Sequence, residues 1–149
     1  MNASATSSKT IVDRPAAAVF EFVTTPAHWV GTHPVTETVR GQVGRSAEIG
    51  TRWTEVIKDA PPFEIDWLTT LWVPGHTWVI ETDALRDKGT RCQIVYTFVE
   101  VDGATLFRRD MSVFTEEPTG SDVLAMTARP EVHDAYLAAV KAALERQEA

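Results

Sequence analysis

The chain has 149 residues, with 14 Lys plus Arg against 21 Asp plus Glu and a formal net charge of −7. That length suits one domain burying about two-thirds of the surface its unfolded chain exposes, and 44% hydrophobic against 23% charged residues excludes a wholly disordered chain. The acidic balance argues against a nucleic-acid partner, which needs a basic face, and no apolar run nears the roughly 20 residues of a membrane span.

Residues 1–8 are small and polar and lack the charged and apolar regions of a signal peptide, so they are expected to form a flexible tail ahead of a single domain at 9–149. Residues 9–13 read as a short strand. Pro15 suits the first position of a helix, where its missing N–H has no partner to lose, and Val19, Phe22 and Val23 share one face of that helix. Thr24-Thr25-Pro26 closes it, and residues 27–31 allow at most one further turn.

From residue 35 the period changes to two. Segments 35–43, 50–58, 63–73, 77–82, 90–101 and 105–115 are rich in Val, Ile, Thr and aromatic residues and read as strands. Turn residues separate them: Pro61-Pro62, Pro74-Gly75, Asp87-Lys88-Gly89 and Asp102-Gly103. Such short connections demand antiparallel neighbours. Residues 116–129 form a long connection in which 123–126 suggest a short helix. Pro130-Glu131 then opens a final helix whose apolar stripe is Val132, Tyr136 and Val140, with Leu137 and Leu144, while Lys141, Glu145 and Arg146 face water.

The expected fold class is α+β: a seven-stranded curved antiparallel sheet wrapped around a long C-terminal helix, with two short helices after the first strand. A sheet that long curls. One helix cannot fill the space inside it, so a cavity is expected there.

In this order of elements the chain resembles the START-like, helix-grip (SRPBCC) superfamily, which includes polyketide cyclases/dehydrases and lipid-transfer proteins. The residues that carry the likeness are Ile11-Val12-Asp13 running into Pro15-Ala16-Ala17-Ala18-Val19-Phe20, then Pro26-Ala27-His28-Trp29. Gly50-Thr51-Arg52-Trp53, Val73-Pro74-Gly75 and Gly103-Ala104-Thr105-Leu106 add the later punctuation. The likeness spans residues 9–145 or so, and its motifs are turns and caps rather than catalytic signatures. It implies an elongated pocket between sheet and C-terminal helix that receives sterols, lipids, hormones or aromatic polyketides.

Strand alternation assigns the inward side chains. Phe63, Ile65, Trp67, Thr69 and Leu71 form one set, with Trp72 left outward as an exception; Cys92, Ile94, Tyr96 and Phe98 form the next. Trp78, Ile80 and Thr82, then Phe107, Arg109, Met111 and Val113, then Trp53, Glu55 and Ile57 complete the lining. Two members are charged, and a charge facing an apolar interior needs a reason. Arg109 is the candidate anchor for a ligand oxygen, Glu55 the candidate acceptor or general base, and Tyr96 a phenol donor. The plainer alternatives are that Glu55 and Arg109 pair with each other or sit at a wet rim. His33, placed beside the pocket mouth by the resemblance, is the fourth catalytic candidate, a solvated loop histidine being its default. Trp53, Trp67, Thr69, Trp78, Phe98, Phe107 and Met111 are candidate ligand contacts, or plain core.

No two of His28, His33, His76 and His133 have helical metal spacing, and no acidic loop suits calcium, so no metal is expected. A nucleophile elbow, a P-loop and a dinucleotide fingerprint are absent, so no cofactor is expected. Lone Cys92 forms no internal disulfide and, without an export signal, points to the cytoplasm. The expected partner is a hydrophobic small molecule; the oligomeric state is open, a homodimer among the options. The sequence therefore suggests a binder of an aromatic or polyketide-like molecule that could also catalyse its cyclisation or dehydration. A non-catalytic carrier and a pocketless regulatory domain are the alternatives.

Overall fold

The computed structural model describes residues 2–85, 90–115 and 129–146. The expected turn at 87–89 and short helix at 123–126 lie outside these residues. Among them run seven strands: β1 (Asn2–Val12), β2 (Thr36–Gly41), β3 (Arg52–Ile57), β4 (Phe63–Val73), β5 (Thr77–Leu85), β6 (Thr90–Val101) and β7 (Ala104–Thr115). The α-helices are α1 (Ala16–Val23) and α2 (Pro130–Arg146), with a 3-10 turn at Pro26–Trp29 between α1 and β2.

The strands form one curved antiparallel sheet in the order β1-β7-β6-β5-β4-β3-β2. Consecutive strands from β2 to β7 are neighbours, as their connections favour, and β1 lies beside β7. The Asp102-Gly103 turn between β6 and β7 has φ of 53° and 82°, the left-handed pair that a two-residue hairpin requires.

The expected flexible tail at residues 1–8 is corrected. The chain pairs with β7 from Asn2, in an unbroken register from Asn2↔Thr115 to Val12↔Thr105. The reason lies in β7, which is 12 residues long. A strand confined to residues 9–13 would leave most of its edge N–H and C=O groups unpaired, and Ser and Thr tolerate the extended backbone that satisfies them.

Pro15 sits at the N-cap of α1 rather than inside it, and the first helical N–H, on Ala16, is taken by the Glu100 carboxylate of β6 at 2.7 Å. An anion at that end also suits the helix dipole. At the other end Thr24 and Thr25 donate their hydroxyls back to Phe20 and Glu21 carbonyls. The buried face is Ala16, Val19, Phe20 and Val23; Phe22 lies half-buried and stacks on His28 instead.

One bulge changes the expected inward set. Thr69 pairs with Ile80 and Leu71 with Val79, so Thr70 is an extra residue in β4. Beyond it the faces exchange. Leu71, expected inward, is 42% exposed, while Trp72, the expected outward exception, pairs with Trp78, meets Phe20 edge-on at 6.0 Å and donates its indole N–H to Ser46. The remaining inward assignments on β3 to β7 hold: their residues are buried, apart from the half-buried Phe63.

α2 turns His133, Tyr136, Leu137, Val140 and Leu144 into the sheet. Lys141 donates to the Ile11 carbonyl at 2.6 Å, which covers part of the edge of β1. No helix of the described residues is long and apolar enough to cross a membrane.

Candidate functional site

The segment after α1 delivers three interior groups in quick succession. The 3-10 turn carries Trp29 inward, and His33 N–H bonds back to the Trp29 carbonyl at 2.8 Å. Thr36 N–H then bonds to the His33 carbonyl, so Trp29, His33 and Thr36 are fixed relative to one another, and all three are buried.

Arg109 lies at the centre. It stands on β7 directly opposite Tyr96 of β6 and is 2% exposed. Its Nε donates to the Tyr96 hydroxyl oxygen at 3.1 Å, one terminal nitrogen to His133 Nδ1 at 3.2 Å, and the other to His33 Nε2 at 3.4 Å. The guanidinium also rests over the rings of Tyr96 and Tyr136, at 5.4 and 5.1 Å from their centroids. A guanidinium only donates, so both imidazoles accept, and neutral His33 then carries its proton on Nδ1.

Glu55, on β3, is 3% exposed and receives the Thr36 hydroxyl on one oxygen and the Trp67 indole N–H, at 3.0 Å, on the other. The two expected plain explanations for these charges are corrected. Glu55 and Arg109 do not share an ion pair, because each is occupied by other partners, and neither lies at a wet rim. His33 is likewise no solvated loop histidine.

The environment sets the charge states. Burial, reinforced by Arg109 and His133, holds the His33 imidazole well below its ordinary pKa. Burial raises Glu55, against the pull of Thr36, Trp67 and Arg109. The Tyr96 phenol is also raised by burial, with Arg109 opposing. Burial pushes the Cys92 thiol up to about 12, which leaves it unreactive as a thiolate. For Arg109 burial works against the charge, and the Tyr96 and Tyr136 oxygens, with Glu55, more than offset it.

The candidate ligand contacts form the wall around this pair. Trp53 and Trp78 stack at 5.7 Å, and Trp29 meets Trp53, Trp67 and Trp78 edge-on. Trp78 donates to the Ala47 carbonyl and to the Thr69 hydroxyl. Phe98 stacks on Phe107 at 5.3 Å, and Met111 is buried on the same face of β7. The rings pack against one another. Hollows open elsewhere: a groove of about 310 Å³ runs between β1 and α2, and one of about 380 Å³ is lined by Arg40, Gly41, Arg52, Trp53, Thr54, Asp66 and Trp67.

Four members of the cluster were missed by sequence reasoning: Trp29 as a wall of the site, Thr36, His133 and Tyr136 as a partner of Arg109. His133 had a signal, since it stands three residues before Tyr136 and four before Leu137 on the buried helix face. Thr36 had none. Among the described residues no group of three or more His, Cys, Asp or Glu is placed to hold a metal ion.

No family model matches the chain. It is 33% identical over 141 residues to penitrem biosynthesis cluster 1 protein I of Penicillium ochrochloron, an alignment covering 91% of this chain and 92% of that one. Among solved structures, the Zhui aromatase/cyclase of Streptomyces sp. R1128 superposes with a TM-score of 0.76 at 15% identity, covering 99% of this chain and 97% of its own. The chain belongs to the same family as the penitrem-cluster protein, and its fold is the helix-grip fold. Two further helix-grip structures are similar in fold: norcoclaurine synthase of Thalictrum flavum (TM-score 0.73, 12% identity, covering 99% and 98%) and Ara h 8.0201 (TM-score 0.70, 10% identity, covering 97% and 99%).

Proposed function

We propose that this helix-grip chain binds a hydrophobic, aromatic or polyketide-like molecule between sheet and α2, and catalyses its cyclisation or dehydration without a cofactor. The observation that carries this reading is Arg109: a fully buried guanidinium whose hydrogen-bond partners are a phenol and two imidazole nitrogens, none of them a carboxylate. A buried charge left in that state is costly unless something else supplies the opposite charge. A developing enolate or alkoxide would do so. The likeness to a protein of a biosynthesis cluster supports a role in making a small molecule.

In this reading Glu55 is the base. Both its oxygens keep lone pairs beyond the bonds from Thr36 and Trp67, and burial favours its taking a proton. It removes a proton from the carbon between two ligand carbonyls, and the electron pair moves onto the oxygen facing Arg109. The resulting carbon nucleophile attacks a further carbonyl, whose oxygen becomes an alkoxide and takes that proton back from Glu55 as a hydroxyl. Glu55 then removes the second proton of the same carbon; as the C=C bond forms the C–O bond breaks, and the hydroxyl leaves with that second proton as water. Arg109 and Tyr96 stabilise the oxygen charge. His33 is unsuited to be the base, because its lone pair already faces Arg109; it serves as a donor through Nδ1. Every ring around Arg109 is buried, so some must shift for a ligand to enter, which slows association below the diffusional rate.

The ring packing itself favours one competing reading, a pocketless regulatory domain. Native mass spectrometry of protein purified from its own host separates them: a co-purifying hydrophobic molecule supports binding, and bare protein supports the pocketless domain. Arg109→Met keeps the length of the stem and removes the charge. It should lose the co-purified molecule and all turnover of it, while a mere carrier would show no turnover in either protein. Full activity in Arg109→Met would refute the anchor.

A further inference from the structure

Several hydrogen-bond donors inside this core have no acceptor. Each side-chain acceptor facing Arg109 and Glu55 already receives a bond: His33 Nε2 and His133 Nδ1 from Arg109, and the two Glu55 oxygens from Thr36 and Trp67. Three buried donors have no partner, the Nδ1–H of His33 and the indole N–H groups of Trp29 and Trp53. The His33 and Trp53 rings both border Trp29, at 6.0 and 5.8 Å between centroids. Tyr96 adds to them: its oxygen receives the Arg109 bond, and its own O–H has no acceptor among the described residues.

Unpaired buried donors are rare and costly, so several in one cluster need an explanation. Water is a poor one. It would accept from His33 and Trp53, but its own two hydrogens would then face a wall of donors. A group that only accepts has no such conflict.

We infer that the interior recognises a ligand with two separate acceptor oxygens, of the enolisable 1,3-dicarbonyl class, one oxygen on Arg109 and Tyr96 and the other on the N–H groups of His33 and Trp53. This rests on the interior binding proposed above and adds its selectivity. An ammonium is repelled by Arg109, and an amine or alcohol brings further donors to a site short of acceptors. His33 and Trp53 are the specificity-determining residues.

The test uses the full chain with three probes: dibenzoylmethane as the enolised diketone, 2-acetonaphthone as a single ketone, and 2-naphthylmethylamine. Tryptophan fluorescence reports affinity, and the indole ¹H–¹⁵N resonances report which N–H is engaged. The diketone should bind tightest and shift the Trp53 indole signal, identified by its loss in Trp53→Phe, while the amine should not bind. Trp53→Phe and His33→Phe should each weaken the diketone about tenfold, the loss of one good hydrogen bond, and leave the monoketone unchanged. His33→Asn can accept from Arg109 and still donate, so it should restore diketone affinity. Unfolding curves confirm that each variant is folded.

Equal loss of both ketones in Trp53→Phe and His33→Phe, or binding of the amine alongside the diketone, would overturn the inference while leaving interior binding intact. Ketone affinities unchanged in Arg109→Met would instead refute the anchor. Binding of neither ketone would count against both.

Discussion

His33 couples the interior to pH. In the unfolded chain an imidazole takes up a proton near pH 6.5. In the folded chain burial, with Arg109 and His133, holds His33 unprotonated to well below that value. Between the two values the unfolded state binds more protons, so stability falls as pH drops through about 6.5. Glu55 works in the other direction: its folded pKa is raised, so the folded state takes the proton first as pH falls toward the ordinary carboxylate value, which adds stability. His33→Asn removes the first effect and leaves the second. Urea titrations between about pH 7 and pH 5 should show the parent chain losing up to about 1.4 kcal/mol per pH unit through His33, and the variant flat or gaining. A variant that keeps the parent slope would assign the effect to another group.

At the scale of elements, β4 shows what local pattern conveys and what it does not. Its alternation from Phe63 to Thr69 was legible because side chains on a strand repeat every two residues. Beyond Thr69 the pattern offered a contradiction, a tryptophan on the wet face, and the bulge at Thr70 is its resolution. The bulge follows from where Trp72 packs, on Phe20 and Ser46, and those contacts come from segments distant in sequence. β1 is similar, since its length is set by β7 rather than by the polar residues it contains. The site divides the same way. Glu55, Tyr96 and Arg109 were found by strand parity, whereas the bonds from Arg109 to His33 and His133 span 76 and 24 residues and needed the closed fold. Deletion of Thr70 tests the bulge. It makes Thr69 and Leu71 ladder neighbours with Leu71 still outward and Trp72 still inward, at a cost of about 1 kcal/mol for the lost bend. Deleting Thr70 and Leu71 together sends Trp72 to the wet face and should cost about 3 kcal/mol, with its emission moving to the red. Equal costs for the two deletions would show that Trp72 does not dictate the bulge.

For the whole molecule the relevant contrast is between an acidic exterior and the buried Arg109 cation. The net charge is −7, yet the charge at the middle of the core belongs to Arg109. An anionic ligand approaching from solution meets repulsion first and attraction only after it is inside. The two forces differ in range and in exposure to salt. The field of surface charges reaches about 30 Å at 0.01 M salt and only about 8 Å at 0.15 M, whereas a buried contact is screened far less. Association of an enolate or carboxylate with this chain should therefore speed up as salt is added, the reverse of electrostatic steering, while dissociation from Arg109 should barely change. Stopped-flow tryptophan fluorescence with 2-naphthoate across that salt range measures both rates. An association rate that falls with salt would mean that the ligand enters through a locally basic mouth, and a dissociation rate that rises with salt would mean that its anion stays at the surface and never reaches Arg109.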